Sequence, residues 1–247
     1  MPEPLSLGSP RAVESTLFRQ HWHDLILLHW PVDPEGVAHL FPPGTRPDRL
    51  DGLTYVGLVF FEMRDLGAGR GPAFPLVGRF TEVNVRLYSV DAEGRRGVVF
   101  LSLDCAGLIP SLVAQAVWGL PYRWAKARRL TFDDRLLYTV SRRGLHGPGA
   151  AVWASLGPLT PTEDDLTTFL TARWGLHARA WGCTYFWPVE HPPWEFAEIS
   201  LLSLDDTLVE AATGLRSARR EPASVLYSPG VDVRFGVPRR LGTRQKR

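Results

Sequence analysis

Along most of this chain apolar positions either alternate with polar ones or gather in short runs bounded by Gly, Pro or Asp, the patterns of half-buried and fully buried strands. The run Leu25-Ile26-Leu27-Leu28-His29-Trp30 predicts a buried strand that Pro31 ends. Residues 53–63, rich in β-branched and aromatic side chains, predict a long strand after the turn at Asp51-Gly52. Residues 77–90 alternate most clearly: Phe80, Glu82, Asn84, Arg86 and Tyr88 share one face, and Thr81, Val83, Val85 and Leu87 the other. Residues 97–105 follow a turn at 91–94, so the two segments read as a hairpin. Further strands are predicted over 122–126, 136–142, 150–156, 180–188, 196–204 and 224–233.

Helical spacing is confined to three places. Asp33 as N-cap with Pro34 behind it predicts a short helix over 33–40, and Pro110 with spaced apolar residues predicts another over 110–117, ended by Gly119. The best is 162–174, with Thr162 as cap, acids in the first turn and apolar residues three and four apart, stopped by Gly175. Many strands with few helices give a mainly β fold, a closed or strongly curved antiparallel sheet with three or four short helices. One domain is expected over 17–237, between a loose arm at 1–16 and a basic tail at 238–247.

Composition narrows the class of function. No apolar run approaches the roughly 20 residues that cross a bilayer, so no membrane partner is expected. Residues 1–16 carry charges and no apolar core of a signal peptide, which reads as a cytoplasmic protein. The formal net charge is +2, and such totals do not suggest nucleic acid. Basic residues do gather after residue 215: nine (Arg216, Arg219, Arg220, Arg234, Arg239, Arg240, Arg244, Lys246, Arg247) against Glu221 and Asp232, a local +7 that leaves −5 elsewhere. No aromatic residue interleaves the last of these charges, so the tail reads as a solvated terminus. Cys105 and Cys183 stand far apart in apolar surroundings and read as small buried hydrophobes. Lysine occurs twice, at 126 and 246, so any lysine-imine chemistry would run through Lys126.

The candidate chemistry lies on the polar face of 77–90 and in Trp118-Gly119-Leu120-Pro121-Tyr122-Arg123. Glu82 is a candidate acid or base, Tyr122 a hydrogen-bond donor, and Arg86 or Arg123 a forked partner for an anion. Asn84, His191 and Trp118 complete a set able to hold a small carboxylate or carbonyl compound. Alternatively, Glu82 and Arg86 satisfy each other as a same-face pair. His21 and His23 have a spacing that a metal ion uses, but no Cys or carboxylate motif accompanies them, and neither a metal nor a cofactor is expected. No nucleophile elbow, zinc motif or Walker loop offers another enzyme class.

The hexapeptide resembles the Trp-Gly-Phe-Pro-Lys-Lys signature of acetoacetate decarboxylase, in which the first Lys forms a Schiff base and the second lowers its pKa. Further segments agree in order and spacing, among them Leu28-His29-Trp30, Phe80-Thr81-Glu82-Val83-Asn84-Val85-Arg86-Leu87-Tyr88, Phe169-Leu170-Thr171-Ala172-Arg173-Trp174 and His191-Pro192-Pro193-Trp194. Together they resemble the bacterial YqjF-like family, a branch of the acetoacetate decarboxylase-like superfamily. The resemblance implies a cone-shaped β-barrel around a mostly apolar cavity, with Glu82 matching the glutamate that lines the decarboxylase site. Superfamily members often assemble, so it also implies a homo-oligomer by analogy. The lysine pair is the departure: Tyr122 cannot form an imine, and Arg123 stays protonated. Lys126 would lie about 13 Å further along the same strand. The expectation is therefore a protein that binds a small molecule without Schiff-base chemistry, or an enzyme using Glu82, Tyr122 and Arg123 as an acid/base set on an enolisable carbonyl.

Overall fold

The computed structural model describes residues 1–75, 78–107, 119–144, 147–161, 164–215 and 221–242. In chain order these form β1 (Thr16–Val32), α1 (Pro34–Val37), β2 (Thr45–Pro47), β3 (Thr54–Ala68), β4 (Phe80–Asp91), β5 (Arg96–Cys105), β6 (Tyr122–Phe132), β7 (Arg135–Arg142) and β8 (Gly149–Leu159). There follow α2 (Asp165–Thr171), β9 (Gly175–Ala180), β10 (Cys183–Glu190), β11 (Ala197–Asp206), α3 (Leu208–Thr213), β12 (Ser224–Gly236) and β13 (Arg239–Arg240). The expected helix over 110–117 lies outside the described residues.

The central fact of the architecture is that every residue of β4 is buried, on both faces. An alternating strand with one wet face would not do this, and the pairing explains it. Strands β12, β1, β3, β4 and β5 form one curved antiparallel wall. Beyond β5 the sheet continues through β6, β7, β8 and β11 and returns to β12, closing a barrel of nine strands. A second path, through β9 and β10, joins the same β5 and β12 on the other side of the wall. The wall therefore separates two compartments. Most contacts around it are antiparallel; β5 pairs in parallel with β6 and β9.

The nine-strand compartment is filled. Ile26, Leu28, Trp30, Val56, Leu58, Phe60, Val83, Val85 and Leu87 of the wall meet Ala125, Leu136, Tyr138, Val140, Val152 and Ala154 from the far strands. Leu208 and Val209 of α3 are part of that core. The other face of the wall carries Leu25, Leu27, Val59, Phe61 and Met63 and looks toward β9 and β10. At its far end α2 buries Phe169 and Leu170 against Tyr55 and Tyr88.

Three expectations need correction. The segment 180–188 is not one strand: β9 and β10 form a hairpin about Trp181-Gly182, whose φ values of 48° and 77° are those of a tight hairpin turn. The helix expected over 162–174 is the shorter α2, capped by Asp164, whose Oδ1 accepts from the Thr167 N–H at 2.8 Å; Thr162 lies outside the described residues. The strand expected over 25–30 lies in the second half of the 17-residue β1, which begins at Thr16. Residues 1–15 hold no helix or strand, yet Glu3 pairs with Arg11 and accepts from the Arg96 N–H, and Ser6 accepts from Trp174 Nε1.

Candidate functional site

Three rows of side chains cross the wall on the face opposite the packed barrel core. In the first, Phe61 of β3 stands beside Glu82 of β4 and Cys105 of β5; in the second, Val59, Asn84 and Leu103; in the third, Gly57, Arg86 and Phe100. Strand alternation thus delivers Glu82, Asn84 and Arg86 to one cavity, while Val83 and Val85 enter the filled core. The cavity holds about 160 Å³ and is mainly apolar and aromatic, with contributions from Trp22, Phe61, Phe80, Phe100, Trp187 and Phe235. Gln20, Glu82, Asn84, Arg86 and Tyr122 are its polar members.

Tyr122 arrives through the parallel pairing of β6 with β5, which sets it beside Leu103. Gly119, at φ 63°, makes the turn before it, packed so closely on β9 that a Cβ would stand 2.7 Å from the Arg179 carbonyl oxygen. From there the Tyr122 hydroxyl donates to Glu82 Oε2 at 3.0 Å. Glu82 is 2% exposed, and its burial pushes the carboxyl up to about 7 despite hydrogen bonds from Tyr122 and Asn84; the charge of Asp104 adds to the rise. Burial and the neighbouring Glu82 hold the Tyr122 hydroxyl well above its ordinary range. Asp104 itself faces the barrel core, where Arg142 clasps it through two bonds of 2.7 and 3.1 Å.

Arg86 is 8% exposed and stands four residues from Glu82 without pairing to it. Among the described residues Arg86 forms no ion pair, its Nε has no hydrogen-bond partner, and its guanidinium lies 5.6 Å from the Tyr88 ring. The Asn84 Oδ1 is likewise unpartnered. The cavity therefore presents a buried cation and an amide oxygen that the described residues leave unsatisfied.

Other sequence-derived candidates stand elsewhere. Arg123 is exposed, because its neighbour Tyr122 takes the inward position and alternation turns Arg123 away. His191 is buried but packs between Trp174 and Trp194, at ring distances of 4.3 and 5.0 Å, and does not line the cavity. Trp118 lies outside the described residues. Lys126 is exposed on β6, which runs on to Phe132. His21 bonds to Asp232 at 2.9 Å. Sequence reasoning missed Phe18, Gln20 and Trp22, which line the cavity together with Leu25. A bulge at Asp24, φ 52°, shifts the parity of β1, so even-numbered residues before it share a face with odd-numbered residues after it.

Comparison with known proteins agrees with this architecture. Residues 19–232 match the family DUF2071, described as an uncharacterized conserved protein. The uncharacterized protein YqjF of Bacillus subtilis is 30% identical over 225 residues, 86% of this chain and 91% of that protein. Acetoacetate decarboxylase from Legionella pneumophila superposes with a TM-score of 0.64 at 14% identity, covering 96% of this chain and 93% of its own. The enduracididine biosynthesis enzyme MppR, complexed with the condensation product of pyruvate and imidazole 4-carboxaldehyde, gives 0.62 at 15% identity, with 94% and 92% covered. At such identities the likeness to the solved structures is one of fold: a closed β-barrel with a few short helices. A family match over most of its length and a full-length relative at 30% identity place the chain together: it belongs to the DUF2071, YqjF-like family and has the acetoacetate decarboxylase-like fold.

Proposed function

We propose that the protein binds a small, mainly apolar molecule bearing a carbonyl or carboxylate group in the cavity between the wall and β9–β10, without a covalent imine. The observation that carries this reading is Arg86, a buried cation with no ion pair among the described residues, on the same cavity-facing side of β4 as a protonatable Glu82. An unpaired buried charge is costly, and a protein that keeps one at the wall of an apolar cavity offers it to a ligand. MppR holds a pyruvate-derived compound within a similar fold, which supports the class of ligand. Imine chemistry has no support, since Tyr122 occupies the position of the Schiff-base lysine and Lys126 is exposed. Borohydride reduction in the presence of acetoacetate, followed by intact mass, tests this. The expected result is no adduct, with calorimetric binding of carboxylates that fill the cavity; a ligand-dependent adduct at Lys126 overturns the reading.

A second reading is favoured by Glu82 alone. A carboxyl near 7, bonded to a tyrosine hydroxyl, suits removal and return of a proton α to a carbonyl, as in a cofactor-independent lyase or isomerase. Arg123 takes no part in it, because it faces away. Deuterium incorporation from D₂O into a bound ketone, followed by proton NMR, separates the two. Exchange that Glu82→Gln abolishes while binding persists supports the enzyme; no exchange in the native protein leaves binding alone.

A further inference from the structure

A second group of polar atoms lies buried behind Arg86. His29 is fully enclosed, and among the described residues neither of its ring nitrogens has a hydrogen-bond partner; Tyr88 Oη is equally without one. The strand register brings these side chains to Arg86. His29 of β1 stands beside Gly57 of β3, Gly57 stands beside Arg86 of β4, and Tyr88 follows Arg86 by two residues on the same face. Gly57 has no side chain, and the three close over its backbone. A Cβ there would meet Arg86 Cγ and Tyr88 Oη at 3.2 Å and His29 Cδ2 at 3.3 Å. The three side chains lean over bare glycine backbone, with the His29 and Tyr88 rings 6.0 Å apart.

Nearly all buried polar groups find partners, and each one left unpaired costs about 1–3 kcal/mol. Here four atoms in one place go without: both nitrogens of His29, Tyr88 Oη and Arg86 Nε. Their chemistry is selective. Arg86 offers N–H groups and a fixed positive charge, and Tyr88 offers an O–H. Burial and the charge of Arg86 keep His29 neutral, so it supplies one N–H and one lone pair. The carboxylate of Asp48 is already taken by Arg96 and by Arg173, whose guanidinium covers the Tyr88 ring. A set dominated by donors, carrying one positive charge and no acid of its own, suits a carboxylate.

This inference rests on the reading of the cavity as a ligand site and deepens it. We propose that Arg86, His29 and Tyr88 form an anion subsite over Gly57, remote from Glu82, so that the ligand is a medium-chain carboxylic acid with an oxygen function at its opposite end. Arg86 is the member of the three that lines the cavity, and His29 and Tyr88 are fully buried behind it, so the proposed subsite requires the Arg86 side chain to move aside. The oxygen at the other end meets Glu82, Asn84 and Tyr122. Glu82 and Arg86 are separated by about 13 Å of strand. Between them lie the apolar Val59, Phe61 and Leu103, which suit a hydrocarbon segment. A cavity of about 150 Å³ accommodates a benzene-sized molecule, which sets the body of the ligand at about six to eight carbons. A three- or four-carbon oxo acid is too short to engage both ends.

The full chain titrated calorimetrically with 7-oxooctanoate, octanoate, 2-octanone and acetoacetate tests the subsite, and the native protein alone suffices for the ranking. The expected order places 7-oxooctanoate first, octanoate next, 2-octanone weaker and acetoacetate below detection. Tyr88→Phe removes a hydroxyl that has no hydrogen-bond partner among the described residues, so the fold is expected to be retained. It is expected to weaken both acids about five- to tenfold and to leave 2-octanone unchanged. Equal binding of 2-octanone and 7-oxooctanoate, or acids unaffected by Tyr88→Phe, overturns the anion subsite while the cavity reading stands. Acetoacetate binding as tightly as the eight-carbon acid overturns the assigned length. Absence of binding by all four overturns the cavity reading itself.

Discussion

Glu82 ties its own ionisation to stability. Its carboxyl titrates near 7 in the folded chain and near 4.3 when unfolded. The folded state holds this proton more tightly, so the contribution is fully present below about pH 4 and is lost as pH rises to about 7, an effect of roughly 3–4 kcal/mol. Glu82→Gln is expected to remove that fall, which urea unfolding at pH 5 and pH 8 measures directly. His191, lowered to about 4, and Asp206, raised to about 6, stay in both proteins, so the difference between the two pH series isolates Glu82. An equal pH dependence in native and variant chains would contradict the assignment. Arg86 makes the opposite kind of statement. As a buried cation without a counter-ion it works against folding, and Arg86→Met is expected to raise unliganded stability by about 1–3 kcal/mol. A lower urea midpoint in that variant would mean that Arg86 serves the fold instead.

At the level of elements, much was legible and the failures have local causes. Strands β3, β4 and β5 follow from plain alternation and from the 91–94 turn, where Gly94 at φ 88° closes the hairpin. The polar face of β4 was readable for the same reason. Two devices hide from pattern reading. The bulge at Asp24 exchanges the faces of β1 midway, so Phe18, Gln20 and Trp22 cannot be deduced from the run that begins at Leu25. The Trp181-Gly182 turn puts a bulky residue at a positive φ, where Asn or Asp would have announced a hairpin. A motif gives residue order and not direction, so it does not place Arg123, whose side chain turns out to solvent, or His191, held between two tryptophans. Two glycines make the distinction between turn and contact testable. Gly182→Ala, with open space around it, is expected to cost about 1 kcal/mol. Gly119→Ala adds a clash with β9 to its positive φ and is expected to cost about 2–4 kcal/mol. Equal losses in thermal melts of the two variants would remove the close-packing argument at Gly119.

The whole molecule is two compartments sharing one wall, and charges on its two sides feel each other. Asp104, inside the filled barrel, raises the pKa of Glu82 in the cavity beyond it. Asp104 depends on Arg142, which reaches it from β7 across β6. Arg142→Leu strands a buried carboxylate and is expected to cost about 3–5 kcal/mol, read as a shift in the urea midpoint. A loss below about 1 kcal/mol would show that water reaches Asp104.

The two rings are not closed as firmly as they are built. The barrel meets β12 from β11 through the single register pair Ala197 and Tyr227, and β5 meets β9 through Val98 and Leu176 alone. The wall strands, in contrast, share long continuous ladders. A hoop with strong staves and two thin seams parts at the seams first. Amide deuterium uptake should therefore begin along β9 and β11 and reach β1, β3 and β4 last, at a free energy near that of global unfolding.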